Sequence, residues 1–155
     1  MENERTRKEK AMHLFETGYN CTQSVVLAFA DLLDADEKAL AQMVSAFGGG
    51  MGRLREVCGS VSGMFFVTGM LYGYHEPGDF EGKKALYAKV QELAGRYEER
   101  NGSIVCRELL GLDHKRDISV PEKRSAEYYR KRPCRELIGC AAEILDQFIK
   151  EHPIL

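Results

Sequence analysis

Cys21, Cys58, Cys106, Cys134 and Cys140 are the side chains in this sequence best suited to chemistry. A thiol that ionises to thiolate is both a nucleophile and a soft metal ligand. The odd number leaves at least one cysteine outside any pairing. No two are spaced C-x-x-C, so the local signatures of zinc ribbons, thioredoxin-like sites and c-type haem attachment are absent. Joint action therefore requires the fold to gather sulfurs from distant parts of the chain. The hexapeptides Cys106-Arg-Glu-Leu-Leu-Gly111 and Cys134-Arg-Glu-Leu-Ile-Gly139 agree at five of six positions, which points to two helix starts built for one job.

The elements that must position these thiols read as helices. Asn20 is a favoured N-cap and Gln23 completes a capping-box pattern, which puts Cys21 in a first turn. Cys58 opens an uncharged segment that reads as a buried central helix over about residues 58–74. Gly59 and Gly63, and then Gly69 and Gly73, give that helix smooth flanks for a close neighbour. Cys106 starts a short helix, and Pro133 at N1 places Cys134 at the start of the last one. A thiol at a helix N-terminus sees the positive end of the macrodipole, and arginines lie within three residues of Cys58, Cys106 and Cys134. The expectation is a lowered thiol pKa. Four such N-termini meeting at one point would suit two redox-active dithiols. They would equally suit a metal or iron–sulfur centre, whose thiolate charges need compensation. Spacing alone leaves scattered buried thiols as an equal alternative. Cys140, inside the last helix beside its apolar stripe, is assigned to packing.

The stretch Phe47 to Gly73 organises the rest. It begins with Gly48-Gly49-Gly50-Met51-Gly52, followed by Arg53 and Arg55. The loop is not a Walker A and follows no strand. Its amides at Gly49 and Gly50, with Arg53 and Arg55, are candidates for holding an anion or a cofactor phosphate. Further helices are predicted over residues 5–17, 20–33, 34–47 and 79–101. In the 79–101 helix, Phe80, Lys83, Tyr87, Val90, Ala94 and Tyr97 form the packing stripe. Residues 112–132 are loop-rich, with a helical turn near residues 125–131, and offer a mobile lid or a partner contact. The expected architecture is all-α: a single-domain bundle over residues 1–155, with about six or seven helices. Its ends, 1–4 and 152–155, are expected to fray.

A formal net charge of −2 provides no basic field for nucleic acid, and Arg130-Lys131-Arg132 reads as solvated surface. The run Val57–Gly73 approaches membrane-span length, but its serines, threonine and glycines favour a core helix over membrane insertion. The charged N-terminus is no signal peptide, so a cytoplasmic location is expected, where structural disulfides are rare. The four histidines are scattered and read as surface groups.

In order, Cys21, the motif Val57-Cys58-Gly59-Ser60-Val61-Ser62-Gly63, Cys106 and Cys134 resemble the C_GCAxxG_C_C pattern that names a family of redox-active proteins. Val57 stands where the family name has glycine, and Ser60 where it has alanine. The valine implies that the backbone before Cys58 needs no positive φ. The resemblance implies a helical protein in which Cys21, Cys58, Cys106 and Cys134 act as redox thiols or metal ligands. The preferred reading is a small cytosolic thiol-based or metal-dependent oxidoreductase. Its cofactor would be an iron–sulfur cluster or another thiolate-bound metal, and its partner a redox protein or a small molecule. Cys58 is the first choice for the most reactive thiol. Glycine-faced helices would also serve a homodimer. The alternative is a non-catalytic binding module with structural cysteines and a glycine-rich anion- or partner-binding loop.

Overall fold

Thr6 caps the first helix, α1 (Arg7–Glu16), by accepting from the Glu9 amide, and Gly18 at φ +117° ends its exit. The structure is a computed structural model and describes residues 4–154. Residues 1–3 and 155, part of the ends expected to fray, lie outside the described residues. At the other end, His152 is packed: its carbonyl accepts from Tyr72 Oη at 2.7 Å and its ring stacks on Phe148.

Helix α2 (Cys21–Leu27) has both bonds of the predicted capping box, between Asn20 and Gln23. It is shorter than the expected run to residue 33, giving way to a 3-10 turn over Ala30–Leu32. Residues 24–30 are all buried, so this stretch carries no local stop signal and packing sets its end. Helix α3 (Glu37–Met43) is capped by Asp36, not Asp34. A 3-10 turn, Ser45–Phe47, leads into the single turn α4 (Gly48–Met51). The central helix α5 spans Gly59–Tyr72, with Cys58 as its N-cap. Helix α6 (Phe80–Asn101) starts at the expected Asp79 cap and stops at Gly102, φ +88°. Then come α7 (Cys106–Leu109), α8 (Ala126–Lys131) and α9 (Cys134–Glu151). Among the described residues there are eight α-helices, and the α4 turn whose Gly49 and Gly50 are non-helical, against the six or seven expected; the shortest helix is α7 with four residues.

Buried side chains of α1, α2, α5, α6 and α9 share one apolar cluster, in which Phe15, Val25, Val61, Met64, Tyr97, Ile138 and Phe148 are almost fully enclosed. Gly63 brings α5 onto α2: a Cβ there would stand 3.0 Å from Val25 Cβ. The smooth flank stops halfway, because a Cβ at Gly69 would meet nothing within 4 Å and Gly73 only terminates the helix. The predicted α6 stripe needs correction. Phe80 and Tyr87 are 70% and 53% exposed, and only Leu93 and Tyr97 are buried. The first turns of α6 meet the end of α5 through lysines over rings, Lys83 on Tyr74 and Lys89 on Tyr72, so apolar periodicity there does not mark the core.

Candidate functional site: a four-cysteine cavity

One antiparallel bridge, Val57 with Val105, does what no C-x-x-C spacing could. It is the only β pairing among the described residues. The Cys58 amide donates to the Ile104 carbonyl at 2.8 Å, and the Cys106 amide to the Glu56 carbonyl at 2.6 Å. Side chains alternate across an extended backbone, so with both valines on one face, Cys58 and Cys106 take the other. They are diagonal neighbours, a relation that typically separates Cα atoms by about 7–8 Å. Val57 has no positive φ, as its substitution for glycine implied.

Cys21 reaches the same place from the start of α2. Its Sγ lies over Gly59, where a Cβ would stand 2.2 Å away, and the Gly49 and Thr22 backbone amides favour its thiolate. Cys134, the first residue of α9, completes the set. All four cysteines line one cavity of about 280 Å³, together with Gly49, Gly59, Arg53 and Arg55. Cys58 and Cys106 are buried, Cys21 and Cys134 partly exposed, and all are free thiols. Cys140 lies elsewhere, buried and accepting from Asn101 Nδ2 at 3.3 Å.

The glycine-rich loop is a left-handed turn. Gly49, Gly50, Met51, Gly52 and Arg53 have φ of 70°, 67°, 70°, 62° and 69°, and Arg55 follows at 60°. Left-handed backbone costs a residue with a Cβ roughly 1–2 kcal/mol, so Met51, Arg53 and Arg55 hold strain that the surroundings must offset. The turn directs the Gly49 amide at Cys21 and sets Gly50 against Cys106, where a Cβ would stand 2.6 Å from Cys106 Cβ. Gly49, Arg53 and Arg55 face the cavity; Gly50 lies behind it.

Both arginines are engaged. Arg55 Nε donates to Asp117 Oδ2 at 2.7 Å and its Nη1 to Cys106 Sγ at 3.6 Å. Arg53 Nε donates to the Ile118 carbonyl at 2.8 Å, and the Asp117 amide returns a bond to the Arg53 carbonyl. The 112–125 segment is thus tied across the cavity, and Ser119, Pro121, Glu122 and Arg124 line it. Arg132 pairs with Glu122, and Arg124 donates to the Phe15 and Tyr19 carbonyls with its guanidinium 4.0 Å above the Phe15 ring.

Two electrostatic expectations are corrected. The arginines next in sequence do not serve their own cysteines: Arg107 bonds the Arg55 carbonyl and Glu56, while Arg135 pairs with Glu16. Nor does the N-terminal placement lower the pKa of Cys21, Cys106 or Cys134. Burial, with the neighbouring sulfurs adding repulsion, pushes Cys21 up to about 11 and Cys134 up to about 12. Cys106 is also raised, by burial against the opposing pull of Arg55. Desolvation outweighs a dipole contribution of at most about 2 kcal/mol. The sign fixes a prediction for the metal-free protein. Folded Cys21 and Cys134 hold protons that the unfolded chain releases near its ordinary thiol pKa of about 8.5. Their contribution to stability is complete below that pH and is lost as pH rises towards 11–12. Urea midpoints should fall steadily from pH 8.5 upward, and a midpoint that stays level to pH 11 contradicts this environment.

Two groups at Cys58 were missed in the sequence. Ser60 Oγ lies 2.9 Å from Cys58 Sγ, so the serine in place of the family's alanine brings a hydroxyl to the sulfur. Tyr97 Oη, fully buried, lies 3.6 Å from the same sulfur. Tyr97 has a signal, as a tyrosine on the core stripe of α6; nothing local linked it to Cys58.

The family model described as "Putative redox-active protein (C_GCAxxG_C_C)" matches residues 19–148. No curated protein and no solved structure matches the chain.

Proposed function

The chain belongs to the C_GCAxxG_C_C family of redox-active proteins, and from that premise we propose that the four-cysteine cavity is its redox centre and holds an iron–sulfur cluster. The observation that carries this reading is the convergence of Cys21, Cys58, Cys106 and Cys134, each at or beside a helix start, on one cavity. The donor set discriminates between metals. Among the described residues, no three His, Cys, Asp or Glu side chains stand close enough to clasp a single ion. A lone zinc ion, which needs its thiolates drawn tightly together, does not fit. A centre with several metal atoms, each taking its own thiolate, fits a sulfur-lined space of about 280 Å³. Such a cluster supplies one-electron chemistry. The chain offers the sulfurs the Gly49 and Thr22 amides, Arg55, Ser60 and Tyr97. Hydrogen bonds to sulfur are among the groups that set a cluster's potential.

A second reading is thiol–disulfide chemistry between Cys58 and Cys106, which the Val57–Val105 bridge makes diagonal neighbours; at the roughly 7–8 Å typical of such pairs, closing the S–S bond needs backbone movement. Two thiols would give one disulfide, with two electrons and two protons passing to an oxidant. Their raised or buried state makes these thiols slow nucleophiles, so this reading stands second. The non-catalytic binding module is weaker still, because Asp117 and Glu122 already face the arginines an anion would need.

Anaerobic purification with iron and sulfide analysis, an absorption spectrum and a thiol count tests the proposal. Iron with inorganic sulfide, and a visible absorption bleached by dithionite, is the expected result. Metal-free protein that loses thiols in pairs to a mild oxidant selects the second reading. Metal-free protein whose five thiols resist oxidation overturns both.

A further inference from the structure

We propose that the outer face of the segment over the cavity, Lys115 to Lys123, is the docking surface for an acidic electron-carrier protein; this rests on the redox reading of the site. The wall there is one backbone thick. Ser119 and Pro121 line the cavity, while the alternating Ile118 and Val120 point away from it, 75% and 64% exposed. Asp117, the next residue inward, holds Arg55, which in turn reaches Cys106 Sγ. An apolar pair thus sits in solvent directly outside the sulfurs, with exposed Lys115 and Arg116 before it and exposed Lys123 after it.

Charge decides the partner. Within residues 115–123, Asp117 and Glu122 are held by Arg53, Arg55 and Arg132, which leaves Lys115, Arg116 and Lys123 as the exposed charges beside Ile118 and Val120. A small apolar centre flanked by exposed basic side chains suits transient electron-transfer contacts: long-range charge speeds the encounter and a small interface allows release. With the proposed cluster held by the four cysteines, one electron would pass from the reduced carrier, which is oxidised, to the oxidised cluster, which is reduced.

The test uses the full chain, labelled with ¹⁵N, and an acidic plant-type [2Fe–2S] ferredoxin as the probe. The amide signals of residues 115–123 should shift on titration at low salt, and the shifts should fade as salt is raised. A K115E/R116E variant should bind about tenfold more weakly, as expected for reversal of two rim charges. An I118S/V120S variant should also bind more weakly while keeping the salt dependence. All four side chains are exposed, so the fold is expected to survive, and the unperturbed amides elsewhere report on that directly. Absence of any shift, or equal binding by K115E/R116E protein, overturns the proposal. Binding of the segment to phosphatidylserine vesicles but not to ferredoxin overturns it in favour of a membrane surface. Ferredoxin bound at these residues with no electron passed removes the redox reading and leaves the surface. Electrons passed at an unchanged rate by the charge variant remove the surface and leave the redox reading.

Discussion

Replacing Gly59 by alanine is expected to destabilise the protein by about 2 kcal/mol and to eject the Cys21 sulfur from the cavity. The new Cβ would stand 2.2 Å from Cys21 Sγ, 2.7 Å from Thr22 Oγ1 and 3.2 Å from the Phe47 carbonyl oxygen. The sulfur can turn away about its single χ, but only by giving up the Gly49 and Thr22 amides. The carbonyl is backbone and cannot yield in that way. Overpacking of this kind costs about 1–3 kcal/mol, and Gly59 is the first residue of α5, where the interior preference for alanine over glycine offsets little of it. In a chain of this length the melting temperature should drop by roughly 4–8 °C. Gly69→Ala in the same helix is the control. With nothing within 4 Å of its Cβ, it should raise stability by up to about 1 kcal/mol. Urea melts of the two proteins, with centre content measured alongside, decide the matter. If both substitutions shift stability the same way, the close approach of α5 to Cys21 is wrong.

The second large effect is expected at Cys58. It is the sulfur that adds to the upward shift of Cys21, Cys106 and Cys134 alike, and it is the cysteine with two hydroxyl neighbours. Cys58→Ser should abolish the cluster, with iron and sulfide falling to background and the visible absorption lost, while the helical circular dichroism of the metal-free protein is kept. Serine is nearly isosteric, and Cys58 caps α5 without a side-chain bond, so the fold loses little. Cys140→Ser should leave the iron content and spectrum in place, because Cys140 lies outside the cavity. Loss of the centre in both variants, or in neither, refutes the assignment of these four sulfurs.

The helices were legible where their ends are local. Asn20 with Gln23, Asp79 and Gly102 mark ends through groups within a few residues, and each does so in the structure. The site was legible as a set of cysteine positions, because a thiol opening a helix is a sequence feature. How the set is assembled was not. The Val57–Val105 pair joins residues far apart, and two isolated valines carry no strand signal. The left-handed path through Met51 and Arg53 was hidden for a related reason: glycines announce the freedom to turn, while the two side chains on the same path argue against it. The thiol pKa values ran opposite to expectation because a dipole can be inferred from a helix start, whereas burial depends on what the rest of the chain places around the sulfur.

The way the four sulfurs are drawn from the chain also governs when the centre can be built. Cys21 leaves the ribosome early, and Cys58 and Cys106 become neighbours only once Val105 has been made and paired. The fourth sulfur arrives with Cys134, after the segment that covers the cavity has itself been synthesised. On the proposed reading, a cluster would therefore load late in biogenesis. It ties residue 21 to residue 134, and a nascent or truncated chain lacking the last helix has no complete binding set to offer.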